Sequence, residues 1–150
     1  MTKNLDTFDA DITNVRRGII VHQVNCQGVM GSGVAKALYT KWPEVKKNFL
    51  EYSRDLRYTQ DLLGTIQQVY IKDDLVVVNG FSQFDYGTSS RRYTSYDAVD
   101  NVFRQVAYLQ RQLDLPVYVP YNYGCGLGGG DWNIVETIIA SHCPKASAVR

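Results

Sequence analysis

The chain has 150 residues, of which 16 are Lys or Arg and 15 are Asp or Glu, so its formal net charge is +1. The length predicts one domain spanning residues 1–150, and the balanced charge argues against a basic surface that wraps nucleic acid. No apolar run reaches the length of a membrane span, and the N-terminus lacks the apolar stretch of a secretory signal.

The first part of the chain alternates strand-like and helix-like segments. Residues 4–9 have the pattern of an edge strand, whereas residues 18–24 form a nearly continuous apolar run. Such a run is typical of a central strand that is buried on both faces. Apolar residues at helical spacing predict a helix after residue 33, and Pro43 predicts the start of a second helix.

A hairpin and a long helix follow. Residues 63–71 and 74–79 predict two strands that turn near residues 72–73. The next stretch, residues 80–92, is polar and is expected to be a loop; we name it the polar segment. Thr94 or Ser95 caps the long helix that comes after it, whose apolar positions recur at helical spacing as far as Leu113.

The remaining segments complete the alternation. Residues 115–121 predict a strand, Asp131 caps a last helix, and the tail after Cys143 offers one short final strand. Alternating strands and helices indicate an α/β layered domain.

Two glycine-rich loops each follow a strand-like run and lead into a helix-like segment. The first glycine loop is residues 24–38 and the second glycine loop is residues 119–132. This arrangement brings bare backbone N–H groups and a helix N-terminus to one point, which suits a phosphate. Because ligands of open α/β sheets lie beyond the carboxyl ends of the strands, we expect both loops and the polar segment to enclose one cleft. Two loops indicate a ligand with several phosphates, or one diphosphate held from both sides.

The first glycine loop lacks the common nucleotide signatures. The first glycine loop does not contain G-x-G-x-x-G, and Lys36 is followed by Ala37 where a P-loop has Ser or Thr. The usual sequence signals of nicotinamide redox chemistry and of ATP hydrolysis are therefore missing from this loop. An alternative interpretation of the glycines is that they serve tight turns and close packing alone.

Taken together, these residues resemble the macro domain family, whose members bind ADP-ribose. Residues 9–13 look like the family's G-D-I-T turn, and Val24-Asn25 is similar to its V-N-x-x-N start, with Gly28 at the second asparagine. Residues 31–35 and 124–128 resemble its two diphosphate loops. The resemblance covers nearly the whole chain and implies a three-layer α/β/α fold with a mixed central sheet.

The resemblance also implies individual contacts. Asp11 would receive the adenine amino group, with the backbone N–H of Ile12 beside it, and Asn25 would face the distal ribose or a water. Backbone N–H groups would hold the diphosphate; they belong to Gly31, Ser32, Gly33, Val34, Ala35, Gly124, Cys125, Gly126, Leu127 and Gly128. Phe84 and Tyr123 either border the diphosphate and distal ribose or form hydrophobic wall.

Two branches of the family are pertinent. The terminal ADP-ribose protein glycohydrolase has an aspartate where this chain has Gly128, and a catalytic lysine in its third loop, whereas residues 80–87 contain no lysine. The ADP-ribose-1''-phosphate phosphatases have a histidine three residues before the asparagine, then an N-C-x-G run. Residues 22–28 reproduce that spacing. The resemblance therefore favours an ADP-ribose-1''-phosphate phosphatase.

Three side chains are candidates for catalysis. His22 would be the acid/base, since histidine titrates near neutral pH. Asn25 would position the distal ribose or a water, and Asp131 would orient water. For His22 the alternative is a satisfied core histidine, and for Asp131 it is a helix cap with no other role. The cysteines Cys26 and Cys125 are expected to be small packing groups and free thiols.

The predicted partner is ADP-ribose or ADP-ribose-1''-phosphate, with no metal, no cofactor, no membrane and no nucleic acid. We expect a cytoplasmic monomer. Two other functions share the same cleft: a non-catalytic ADP-ribose reader, and a hydrolase that removes ADP-ribose or O-acetyl groups from modified molecules.

Overall fold

A computed structural model describes residues 4–31, 33–54 and 60–150. Its strands form one six-stranded sheet in the order β1-β6-β5-β2-β4-β3. The strands are β1 (Asp6–Phe8), β2 (Gly18–Asn25), β3 (Ile66–Lys72), β4 (Leu75–Gln83), β5 (Val117–Pro120) and β6 (Ser147–Val149). Neighbouring strands are parallel except β3 and β4, which form the antiparallel hairpin.

Helices cover both faces of the sheet, which makes the three-layer α/β/α architecture with a mixed central sheet. They are α1 (Gly33–Lys41), α2 (Glu44–Ser53), α3 (Tyr96–Leu113) and α4 (Trp132–His142), with a short 3-10 helix at Ile12–Asn14. Within the described residues, no helix is long and apolar enough to cross a membrane.

Alternate residues of β2 explain the two cores. Ile19 and Val21 belong to one apolar cluster, which includes Val102 and Phe103 of α3 and residues of α4. Ile20 and Val24 belong to the other cluster, together with the buried residues of α1 and α2. Because side chains alternate along a strand, a central strand that is apolar on both faces requires a helical layer on each side.

The predicted caps are present. Ser95 caps α3 by accepting a hydrogen bond from the N–H of Ala98 at 3.1 Å, so Ser95 is the cap, not Thr94. Asp131 caps α4 through the N–H of Asn133 at 2.9 Å. Pro43 stands directly before α2, as its missing N–H favours.

Two boundaries of the predicted hairpin were wrong. Strand β3 begins at Ile66 rather than at residue 63. Strand β4 does not end at residue 79 but continues to Gln83, so the first four residues of the polar segment are strand. Gly80 pairs with Gln23 of β2 and with Ile66 of β3, and Phe81 is fully buried beneath α2. Pairing on both sides outweighs the polar composition that favoured a loop.

We predict that Phe103→Ala lowers the free energy of unfolding by about 3–5 kcal/mol, the usual cost of truncating a buried Phe. The Phe103 side chain is fully buried and packs edge-on against Tyr123, with ring centroids 5.3 Å apart. The matched control is Tyr108→Ala on the same helix, where the side chain is 58% exposed and the change should stay within about 0.5 kcal/mol. Urea denaturation measures both; equal losses would contradict this core assignment.

Candidate functional site

A cleft of about 570 Å³ lies beyond the carboxyl ends of β2, β4 and β5; we call it the main cleft. Its wall consists of residues 22–25 at the end of β2, parts of both glycine loops, Gln83 at the end of β4, and residues 86–88 of the polar segment. The parallel pairing of β2 with β4 and with β5 brings these three connections together. The expected enclosure by two glycine loops and the polar segment is thus observed, and the volume is within the range of small-molecule sites.

The second glycine loop offers free backbone donors. The N–H groups of Gly126, Leu127 and Gly128, which all line the cleft, have no hydrogen-bond partner among the described residues. The flanking N–H groups are used: Cys125 donates to Asn122 O at 2.8 Å and Gly129 to Gly126 O at 3.0 Å. A run of three free N–H groups between two closed turns has the character of an anion-binding concavity.

The first glycine loop contributes the N-terminus of α1. Gly33, Val34 and Ala35 open this helix and line the cleft. The first N–H groups of an α-helix have no partner within the helix, and the helix dipole favours negative charge there. Donors from both glycine loops therefore meet across one cleft.

Asn25 holds the first glycine loop in shape. Its Oδ1 accepts from the N–H groups of Gln27 at 3.0 Å and Val29 at 3.3 Å, and its Nδ2 donates to Val29 O at 2.7 Å. Asn25 lines the cleft, but these bonds already use its oxygen and one amide hydrogen. One amide hydrogen remains for a ligand.

His22 lies at the inner end of the cleft, where its side chain is 1% exposed. The Asn79 amide nitrogen donates to Gln67 Oε1 at 3.0 Å and to Val45 O at 3.4 Å, so the Asn79 oxygen faces the imidazole. Nε2 of His22 lies 2.5 Å from that oxygen and therefore carries the ring proton. Nδ1 keeps its lone pair and has no hydrogen-bond partner among the described residues.

Burial fixes the charge state of His22. Desolvation lowers the pKa of His22 to about 4, and the hydrogen bond to Asn79 opposes this shift only in part. The ring is therefore neutral at pH 7. It could accept a proton at Nδ1, but it holds no second proton to give.

Asp11 and Ile12 lie outside this cleft. Asp11 borders a smaller neighbouring cleft between the 3-10 helix and α1, which shares Gly33 with the main cleft. Its carboxylate accepts from the Thr13 N–H at 2.9 Å and hydroxyl at 2.7 Å, and these bonds hold the pKa of Asp11 below its usual value. Ile12 is buried in the core beneath the helix α1 layer, so only its backbone is available to a ligand.

The remaining predicted site residues differ in whether they line the cleft. Phe84 packs against the core cluster of α1 and α2, and Asp131 is engaged as the cap of α4; neither lines the cleft. Cys125 turns its thiol toward Tyr123 O at 3.2 Å, and burial, with the nearby Asp131 carboxylate, raises the pKa of this thiol to about 11. Tyr123 does line the cleft, with its hydroxyl 2.8 Å from Ser82 Oγ. The prediction for Ser32 lies outside the described residues.

The described cleft lining contains no Asp, Glu, Lys or Arg side chain. Nor do the described residues contain a group of three or more His, Cys, Asp or Glu side chains placed to hold a metal ion. The site's polarity therefore comes from backbone N–H groups, amides and hydroxyls. Such a site suits a ligand whose charge is met by dipoles rather than by opposite charge.

Sequence reasoning missed several cleft residues. Gln23 and Gln83 lie side by side at the ends of β2 and β4, and Tyr86 and Thr88 form the wall of the polar segment. Gln23 was detectable, because it follows His22 as a second polar residue in a mainly apolar strand, two positions before Asn25. The other residues carry no signal that distinguishes them from ordinary loop residues.

The fold of this chain was compared with those of known proteins. No protein-family model matches the chain. The structure is similar to that of a macrodomain protein from Streptomyces coelicolor, with a TM-score of 0.79 and 24% identity over 97% of each chain. It is also similar to Thermosipho africanus DarTG in complex with ADP-ribose, with a TM-score of 0.76 and 18% identity over 99% of this chain and 41% of that one. The fold is that of the macrodomains.

One curated relative adds a sequence match. It is the DNA ADP-ribosyl transferase–DNA ADP-ribosyl glycohydrolase fusion protein of Thermosipho africanus, 23% identical over 158 residues. The match covers 97% of this chain but 40% of the relative, so this chain spans about two fifths of that protein's length.

We predict that His22 makes the fold acid-sensitive. The unfolded chain has a histidine pKa near 6.5, whereas the folded value is about 4. Between these values the unfolded state binds more protons, so the His22 contribution is complete above about pH 6.5 and is lost as the pH falls toward 4. The loss is about 3 kcal/mol.

The comparison variant is His22→Gln, which keeps an N–H for Asn79 but cannot titrate. Urea denaturation at a series of pH values should give a flatter pH dependence for this variant between pH 4 and 6.5. Parallel curves for the two proteins would contradict a buried neutral imidazole.

Proposed function

We propose that the protein binds ADP-ribose in the main cleft, with its diphosphate between the two glycine loops. The observation that carries this proposal is the run of free N–H groups at 126–128 opposite the N-terminus of α1. Those donors come from two sides of the cleft, which is the arrangement that a diphosphate held between two loops requires. The solved DarTG complex with ADP-ribose, which shares the fold, supports the choice of ligand.

The adenosine end would extend toward the smaller cleft. Asp11 borders that cleft and keeps a charged carboxylate there, and Gly33 connects the two clefts. A carboxylate accepts a hydrogen bond from the amino group of adenine, which is the role we propose for Asp11. The distal ribose would then lie at the inner end, beside Asn25 and His22.

A pair of variants, one with a negatively charged and one with a neutral side chain, tests the diphosphate position. A Cβ at position 126 meets no heavy atom within 4 Å, so Gly126→Glu and Gly126→Gln both fit the loop and differ in charge alone. The carboxylate would lie near two negative phosphates, and we expect Gly126→Glu to raise the Kd of ADP-ribose at least tenfold. Gly126→Gln should weaken binding by about threefold at most. Calorimetry measures both, and equal effects would contradict a diphosphate at the second glycine loop.

For the reaction, we propose hydrolysis of ADP-ribose-1''-phosphate to ADP-ribose and phosphate. Water would attack phosphorus, the bond from phosphorus to the 1'' oxygen would break, and Nδ1 of His22 would accept the proton of water and pass it to that oxygen. The lone pair at Nδ1 and its lack of a partner support this role. The neutral ring makes His22 a base in the resting enzyme.

We expect phosphate release from ADP-ribose-1''-phosphate to fall by about 100-fold or more in His22→Gln, as loss of a general base predicts. The Kd of ADP-ribose should change by less than about threefold. The wild-type rate should be flat from pH 6 to 8, since His22 is already deprotonated there, and should decline below about pH 5. Asn25→Ala, in contrast, should weaken binding and turnover together, because Asn25 holds the first glycine loop.

A second candidate is a non-catalytic ADP-ribose reader. The burial of His22 and the absence of carboxylate and lysine side chains from the described cleft lining favour it. Tight ADP-ribose binding without phosphate release would overturn the phosphatase. The same protein is then assayed with ADP-ribosylated DNA, in view of the DNA ADP-ribosyl glycohydrolase relative. Release of ADP-ribose would identify a hydrolase of another linkage, and no release would identify the reader.

A further inference from the structure

We infer that Gln23 and Thr94 are positioning residues that hold the second glycine loop and the polar segment around the ligand. The inference rests on the proposed binding of ADP-ribose, and it assigns a role to residues outside the family's motifs. It begins with Gln23, whose side chain uses its oxygen and both amide hydrogens within the protein.

The donors and acceptors around the Gln23 side chain can be assigned without conflict. Its Nε2 donates to Gln83 Oε1 at 2.7 Å and to Thr94 Oγ1 at 3.0 Å. Its Oε1 accepts from the Ser82 hydroxyl at 2.7 Å, and Ser82 in turn accepts from the Tyr123 hydroxyl at 2.8 Å. Every donor is matched to an acceptor, and a partly buried network of this kind orients its members.

Two series of hydrogen bonds lead from Gln23 to the loops that line the cleft. Thr94 donates its hydroxyl proton to Gly124 O at 2.6 Å, which ties down the second glycine loop. Gln83 donates to Asp85 O at 2.7 Å, which ties down the polar segment. One side chain on the central strand therefore sets the position of two walls of the cleft.

The second glycine loop is packed against this network without spare room. A Cβ at position 128 would lie 2.5 Å from Thr94 Oγ1, 2.6 Å from Gly124 O and 3.0 Å from Gln23 Nε2. Gly128 O also accepts the N–H groups of Tyr93 at 2.8 Å and Thr94 at 3.0 Å. The loop with the free N–H groups is thus held at Gly124 and at Gly128, and no side chain fits at position 128.

This packing also restricts the chemistry of the site. A carboxylate at position 128 would displace Thr94 or Gly124, so residues 126–128 offer the cleft backbone donors and no acid or base. The proton acceptor for any reaction in the cleft must therefore belong to another part of the chain. The side chains of Thr94 and Gln23 occupy the space that a side chain at position 128 would need.

The matched pair Thr94→Val and Thr94→Ser tests the inference. Both variants keep the backbone bonds to Gly128, but only Ser can donate to Gly124 O. We expect Thr94→Val to raise the Kd of ADP-ribose at least tenfold, and Thr94→Ser to change it by less than about threefold. Amide hydrogen exchange at Cys125, Gly129 and Gly130, whose N–H groups are hydrogen-bonded within the loop, should accelerate at least tenfold in Thr94→Val, while exchange at β2 and in the polar segment stays at the wild-type rate.

The isosteric variant Gln23→Glu provides a second test of the inference. It replaces two donors by an acceptor, so it should accelerate exchange in the second glycine loop and in the polar segment together. A general loss of stability would not reproduce this contrast with Thr94→Val. If Gln23→Glu fails to fold, the Thr94 pair still decides.

The outcomes separate the inference from the proposed function. Wild-type protein that does not bind ADP-ribose would overturn the proposed function, yet the exchange rates of the Thr94 pair would still decide the positioning role. Wild-type exchange rates and affinity in Thr94→Val would overturn the inference while ADP-ribose binding stands.

Discussion

The parallel pairing of β2 with β5 on one side and with β4 on the other is the constraint on which the site depends. Parallel strands end at the same edge of a sheet, so the connections that leave these three strands meet there. The apolar faces of β2 require helices on both sides, and those helices begin or end at the same edge. Fold and cleft are therefore consequences of one arrangement of three strands.

The cleft achieves its polarity without charged side chains among its described residues. Backbone donors cost nothing in side-chain entropy and cannot change protonation state, so they suit a ligand of fixed negative charge. They are also directional, and the loops that carry them must be held from outside. Asn25 does this for the first glycine loop, and the Gln23 network does it for the second. In the proposed site, backbone N–H groups thus take the place of the cations that many phosphate sites use.

The fold was largely predictable because its signals are local. The apolar run of β2, the cap at Asp131 and the two glycine loops are short patterns with a direct physical meaning. The end of β4 was misjudged because pairing on both sides, which is not local, determines it. The same limit applies to the site. Asn25 and His22 could be named from their spacing because it resembles that of a known family, but the partners of Gln23 lie 59 to 71 positions away along the chain. No periodicity reports such contacts.

The tight packing at Gly128 has a consequence for how this protein tolerates change. Contacts made by main-chain N–H groups survive most side-chain substitutions, so a survey of all single replacements should find the cleft-lining positions 126 and 127 permissive toward uncharged residues. Intolerance should concentrate instead at Gly128, Thr94 and Gln23. A smaller residue at position 94 would not by itself admit a side chain at 128, because the backbone carbonyl of Gly124 also occupies that space.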